Sequence, residues 1–164
     1  MNIYIGADHR GYSLKASLKK FLEKNGHDIF DVGNLRFDPK DDYPDFAKKV
    51  AKKVAQDKNS KGIVMCASGA GVCIVANRVR GIRAVLAHDI LLARSSRKDD
   101  DTNVLCIGSD FVRFTQAKKI ISAWLNTPFE KIPNKSATFL VCPSMSESVF
   151  ATPSFAFGLG FALT

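Results

Sequence analysis

The chain is 164 residues long, 46% hydrophobic and 24% charged, the make-up of a soluble globular protein long enough to bury a core. A formal net charge of +8 can signal nucleic acid, but the lysines run along helix faces that read as solvated, as in Lys15-Lys19-Lys20-Lys24 and Lys48-Lys49-Lys52-Lys53. No nucleic-acid-binding motif accompanies them, and the positive field favours a small anionic ligand instead. No apolar run is long enough to cross a bilayer, and Met1-Asn2-Ile3-Tyr4-Ile5 lacks the features of a signal peptide; a cytoplasmic protein with no membrane partner is expected.

Taken in order, the first 130 residues alternate strand and helix patterns. Ile3 to Gly6 is a short apolar strand. Tyr12 to Lys24 carries Leu14, Leu18, Phe21 and Leu22 at helical spacing and stops at Asn25-Gly26. His27 to Val32 reads as a second strand, and 34–42 as a polar loop. Pro44 opens a helix through Phe46, Val50 and Val54. Gly62 to Cys66 is a buried strand, followed by a small-residue turn and a short helix from Val72 to Val79. Arg83 to Ala87 is a fourth strand, with a helix over 90–97. Val104 to Gly108 is a fifth strand, and Phe114 to Leu125 the last clear helix. Short apolar strands alternating with helices imply a doubly wound α/β domain with a parallel sheet. Ligands in such sheets bind beyond the carboxyl ends of the strands.

The polar residues at those ends are therefore the candidates. Asp8-His9-Arg10-Gly11 follows the first strand, Cys66-Ala67-Ser68-Gly69-Ala70-Gly71 the third, and His88-Asp89 the fourth. Asp99 to Asn103 precedes the fifth, at the opposite edge unless the loop folds back. Ser68 to Gly71 has the chemistry of an anion cradle, and equally suits a tight strand-to-helix turn. It has neither the phosphate-loop lysine nor the dinucleotide spacing. Cys66 ends its strand just before that turn. A thiol facing a helix N-terminus ionises more readily, so it suits a nucleophile or a base. The other cysteines form no zinc-ligand spacing, and Cys73 and Cys106 read as small buried hydrophobes. His9 is either structural or a contact for phosphate or a sugar hydroxyl.

Five ordered segments then narrow the reading: Gly6-Ala7-Asp8-His9-Arg10-Gly11, Asp42-Tyr43-Pro44-Asp45-Phe46-Ala47, Cys66-x-Ser68-Gly69-x-Gly71, Ala76-Asn77-Arg78-Val79 with Gly81-Ile82-Arg83-Ala84, and Asp101-Thr102-Asn103-Val104-Leu105. Together they resemble ribose-5-phosphate isomerase B and the galactose-6-phosphate isomerase subunits, over residues 1 to 130. The resemblance implies a three-layer α/β/α, Rossmann-like domain with a five-stranded parallel sheet. It also implies aldose–ketose isomerisation through an enediolate without metal or organic cofactor, in a homodimer or dimer of dimers with shared sites. Cys66 matches the general base, and Ser68 the residue that assists ring opening. The amides of Ala67, Gly69, Ala70 and Gly71 match the hole for the enediolate oxygen. Asp8, His9 and Tyr43 match sugar- and phosphate-binding positions.

The resemblance also implies departures. Asp99, Asp100 and Asp101 stand where many relatives carry His-Asn-Asp, which puts Asp99 at the ring-opening acid and Asp100 at a substrate-binding position. Asp110 stands where many carry an arginine. The arginines that clamp phosphate have no counterpart after Glu130, leaving Arg113, Lys131 or Lys135 as substitutes. The expected substrate is ribose 5-phosphate. The alternatives are a hexose phosphate of the galactose or allose 6-phosphate type, or a relative that binds sugar phosphate with impaired catalysis. Residues 131–164 form an atypical segment. From Ser136 on, Glu147 is its one charged side chain, and Phe139, Phe150, Phe155, Phe157 and Phe161 lie among Ser, Thr, Pro and Gly. It reads as a packed arm, a partner-binding tail, or a drifted or frame-shifted coding end.

Overall fold

Continuous burial along the central strands fixes an architecture with both sheet faces covered. In the computed structural model, which describes residues 1–130, the strands are β1 (Asn2–Ala7), β2 (Asp28–Asp31), β3 (Lys61–Cys66), β4 (Ala84–Leu86) and β5 (Val104–Gly108). The helices are α1 (Tyr12–Lys24), α2 (Tyr43–Gln56), α3 (Ala70–Asn77), α4 (Ile90–Asp100) and α5 (Phe114–Asn126). The sheet has five strands, all parallel, in the order β2-β1-β3-β5-β4.

Ile3, Ile5, Ile63, Met65, Leu105 and Ile107 point to one face, where Leu18 and Leu22 of α1, Ala93 of α4 and Ile120, Ile121 and Trp124 of α5 cover them. Val64, Cys66, Val104 and Cys106 point to the other, under Val50 and Val54 of α2 and Val72 and Ala76 of α3. Each such aliphatic side chain contributes roughly 1.5–3 kcal/mol by leaving water. The result is the three-layer α/β/α domain expected from the alternation. No described helix is long and apolar enough to cross a membrane.

Several local expectations change. Helix α3 begins at Ala70, not Val72, because Gly69 at its N-cap takes φ +79 and turns the chain directly into the helix. Helix α4 runs on to Asp100 instead of stopping at Arg97. Asp101 ends it in the left-handed region (φ 46), held by Arg97 Nη1 at 2.7 Å. Asp99 and Asp100 are thus helical and not part of a loop. Lys15 is not on a solvated face: it is 2% exposed and ion-pairs with Asp31 at 2.8 Å. Cys106 is fully buried as expected, but Cys73 is only half-buried. The expectations for the tail fall on residues outside those described.

Candidate active site

Strand order reverses direction between β1 and β3, since β2 lies outward from β1 on one side and β5 and β4 extend from β3 on the other. A crevice opens at such a switch point, at the carboxyl edge. Ala7 pairs with Met65 in register, so Asp8 and Cys66 emerge there side by side. Cys66 is 4% exposed. Its Sγ accepts a hydrogen bond from the Gly69 amide at 3.1 Å. Ser68 is exposed, and its Oγ accepts from the Ala70 amide at 3.3 Å.

The glycines of this turn are required. A Cβ on Gly69 would meet Leu86 Cδ1 at 2.5 Å and the Gly108 amide nitrogen at 2.8 Å, besides adopting an unfavourable positive φ. A Cβ on Gly71 would meet the Tyr43 ring at 2.6 Å. Tyr43, the first residue of α2, therefore lies directly against the cradle with its side chain partly exposed. The turn is anchored from β5: Ser109 N–H donates to Cys66 O at 2.9 Å and Asp110 N–H to Ala67 O at 3.0 Å. Asp110 also accepts from Arg10 at 2.8 Å, latching the β1 and β5 ends together over β3.

At the β1 end, Asp8 is buried and accepts the Gly11 amide at 2.9 Å. It thereby shapes the entry to α1. His9 is held by Asp41, whose Oδ1 accepts both the His9 backbone N–H and ring Nδ1, each at 2.8 Å. The Asp41 hydrogen bond raises the His9 pKa above 6.5, burial opposes it, and the negative charges of Asp8 and Asp41 add to the rise. Burial pushes Asp41 up, but hydrogen bonds from Asn34 and His9 leave its carboxyl net below the ordinary value. Asp41 stands in the sequence in the Asp41-Asp42-Tyr43-Pro44 segment before α2, but nothing there pairs it with His9, 32 residues away.

A cleft of about 390 Å³ opens beside Ser68, lined by Leu86, His88, Gly108, Phe111, Val112 and Gln116. Its size suits a small-molecule ligand. Asp89, next to His88, is occupied as the cap of α4, accepting the Leu92 amide at 2.8 Å. Cys73 lies on α3 beneath this edge. Its thiol is lowered to about 7 by a hydrogen bond with Cys106, against the effect of burial, while burial pushes Cys106 well up. Among the described residues no group of three or more His, Cys, Asp or Glu is arranged to hold a metal ion.

The chain does not bring Asp99 and Asp100 to this edge. Helix α4 runs back from the carboxyl end of β4 to the amino end of β5, and both residues lie in its last turn. The Asp100 and Asp101 carbonyls accept from Arg83 Nε, just before β4 begins. Two of the recognised segments have structural roles here. Asn77 exchanges hydrogen bonds with the Ala84 backbone at 2.9 and 2.8 Å. Asn103 accepts from Arg83 N–H and donates to Gly81 O, both at 2.8 Å.

A doubly wound sheet with a thiol, a glycine-bearing turn and an Asp-His pair at its switch-point edge has the architecture of an α/β enzyme of small-molecule substrates. The chain belongs to the Ribose/Galactose Isomerase family, whose model matches residues 3–138, and it is an aldose–ketose isomerase. It is 42% identical over 128 residues to a probable ribose-5-phosphate isomerase B of Mycoplasma pneumoniae, covering 78% of this chain and 84% of that one. It is 37% identical over 133 residues to a D-erythrulose-4-phosphate isomerase of Pectobacterium atrosepticum, covering 79% and 86%. The crystal structure of ribose-5-phosphate isomerase B from Mycoplasma genitalium with bound ribulose-5-phosphate superposes with a TM-score of 0.81 at 37% identity, covering 84% of this chain and 91% of that one.

Proposed function

We propose that the chain interconverts ribose 5-phosphate and ribulose 5-phosphate through an enediolate, with Cys66 as general base. The observation that carries this is Cys66 Sγ at the switch point with the Gly69 amide 3.1 Å away: a base and a hydrogen-bond donor for negative charge in one turn. Cys66 takes the proton from C2 of the open-chain aldose and returns it at C1. Charge developing on the substrate oxygen is met by amides of the Ala67–Gly71 turn, which are preorganised and need no reorientation. The Ser68 hydroxyl, exposed at the mouth, assists ring opening. Asp8, His9 and Tyr43 hold the sugar phosphate, with His9 as a cation for the phosphate.

Asp99 and Asp100 lie at the far edge of their own subunit, so in this reading they reach a site only from a neighbouring copy, in a homodimer or dimer of dimers. The free thiols of Cys66, Cys73 and Cys106 suit the reducing cytoplasm. Two relatives support the substrate class. One holds ribulose-5-phosphate and the other is a D-erythrulose-4-phosphate isomerase, while the family's description, Ribose/Galactose Isomerase, keeps a hexose 6-phosphate of the galactose or allose type as the second reading.

Turnover of ribose 5-phosphate, allose 6-phosphate and galactose 6-phosphate, compared side by side, tests the choice. The highest kcat/KM is expected with ribose 5-phosphate. A higher value with a hexose phosphate replaces the substrate, and no turnover of any leaves a binding protein.

A further inference from the structure

We propose that Asp41 is a positioning residue for the reaction: its carboxylate grips His9 by Nδ1 and by the backbone amide, and so presents Nε2 as a cationic contact for the substrate phosphate. The proposal rests on the reading above in one respect, that His9 meets the phosphate.

The geometry is that of a built support. Asp41 Oδ1 accepts from His9 twice at 2.8 Å, and Oδ2 accepts from Asn34 Nδ2. The Asn34 carbonyl in turn takes Lys15 Nζ, which pairs with Asp31. The Asp41 side chain is 8% exposed although it belongs to a polar loop, and that of His9 is 31% exposed. His9 Nε2 has no hydrogen bond among the described residues. Other cations at this edge are less suited. Arg10 is paired with Asp110, and His88 follows β4, at the far side of the sheet from the β1–β3 crevice. The charged groups facing His9 are Asp8, from the end of β1, and Asp41, from the loop before α2. Both favour the imidazolium. His9 therefore keeps its charge to a higher pH than a free histidine, and phosphate binding weakens as pH rises through its titration.

The test is nitrogen-edited NMR of the imidazoles with steady-state kinetics on the wild type and Asp41→Asn. The chain has 3 histidines, and His9→Gln identifies the signal. In the wild type, neutral His9 is expected to carry its proton on Nδ1 and to titrate above 6.5; Asp41→Asn should move the midpoint down toward 6.5. KM for ribose 5-phosphate should rise about tenfold at about pH 7.5 and less than about twofold at about pH 5.5, where His9 is protonated in both proteins. The kcat should stay within about twofold.

An unchanged His9 midpoint, or the same KM increase at both pH values, overturns the proposal. If the wild type turns over no sugar phosphate, the function reading fails, and inorganic phosphate decides this claim instead. Asp41→Asn should then need about tenfold more phosphate than the wild type to shift the His9 signal at about pH 7.5, and an equal requirement refutes it. If Asp41→Asn does not fold, Asp41→Glu, which keeps the carboxylate, is compared with the wild type in its place. A lengthened side chain should shift the midpoint and the KM together, and a shift in one without the other refutes the claim.

Discussion

Cys66→Ala is expected to lower kcat/KM for ribose 5-phosphate by about 100- to 10,000-fold, the range that general acid–base catalysis supplies. The loss should fall on kcat, because the groups proposed to hold the sugar phosphate lie elsewhere, on the β1 end, on α2 and in the backbone of the turn. Cys66 ends β3 on the face covered by α2 and α3, and it is 4% exposed. Removing one sulfur leaves a small gap, costing about 1 kcal/mol, too little to unfold a domain of this size. The backbone that forms the cradle keeps its anchors, since Cys66 O and Ala67 O are held by Ser109 and Asp110 through main-chain bonds. Thermal denaturation and binding of ribose 5-phosphate by calorimetry should therefore remain close to wild type while turnover disappears. Turnover within a few-fold of wild type would assign the base to another group.

The largest effect on stability is expected at Lys15. Its side chain is 2% exposed, and its ammonium sits 2.8 Å from Asp31, whose side chain is 11% exposed, and also donates to the Asn34 carbonyl. Breaking one partner of a buried ion pair leaves the other charge without compensation, at a cost of about 3–5 kcal/mol. Lys15→Met keeps the length and the apolar stem of the side chain, so the loss reports the charge and not a cavity. A fall of about 3 kcal/mol corresponds to a melting temperature lower by roughly 10 °C. Lys15→Met with Asp31→Asn should recover part of it, since no charge is then stranded. Denaturant titration of both variants checks this, and a double variant no more stable than Lys15→Met would contradict it. Because Lys15 also supports the loop that carries Asp41, the single variant should weaken substrate binding as well.

Lys15 also illustrates where a sequence is opaque. Its helix was legible from Leu14, Leu18, Phe21 and Leu22, but a lysine in a lysine-rich helix reads as solvated. Only the tertiary neighbours, Asp31 and the Asn34 carbonyl, make a buried ammonium tolerable. The strands and their order of appearance were legible for a simple reason: apolar runs such as Gly62 to Cys66 are buried on both faces and bounded by small or polar residues. The cradle was legible because its glycines stand directly after a strand, in the place where a parallel sheet exposes backbone amides.

The His9–Asp41 pair was not legible, since it joins a strand end to a polar loop across 32 residues and no periodicity links them. The extent of α4 is hidden in the sequence for a local reason. Its stop is Asp101, a non-glycine residue in the left-handed region, stabilised by Arg97 and Arg83. That side-chain support is invisible in a run of three aspartates. Asn77 and Asn103 stood out as members of recognised segments, and both turn out to clasp backbone.

The measurement that bears most directly on the proposed chemistry is the conversion of ribose 5-phosphate by the wild-type protein in heavy water, followed by NMR. If Cys66 removes the C2 proton and exchanges it with solvent, ribulose 5-phosphate should accumulate with deuterium at C1, and recovered ribose 5-phosphate should acquire deuterium at C2. The Cys66→Ala variant should do neither. Ribose 5-phosphate recovered unchanged by the wild type, or a Cys66→Ala variant that forms ribulose 5-phosphate and incorporates deuterium as the wild type does, would contradict isomerisation through a Cys66-generated enediolate.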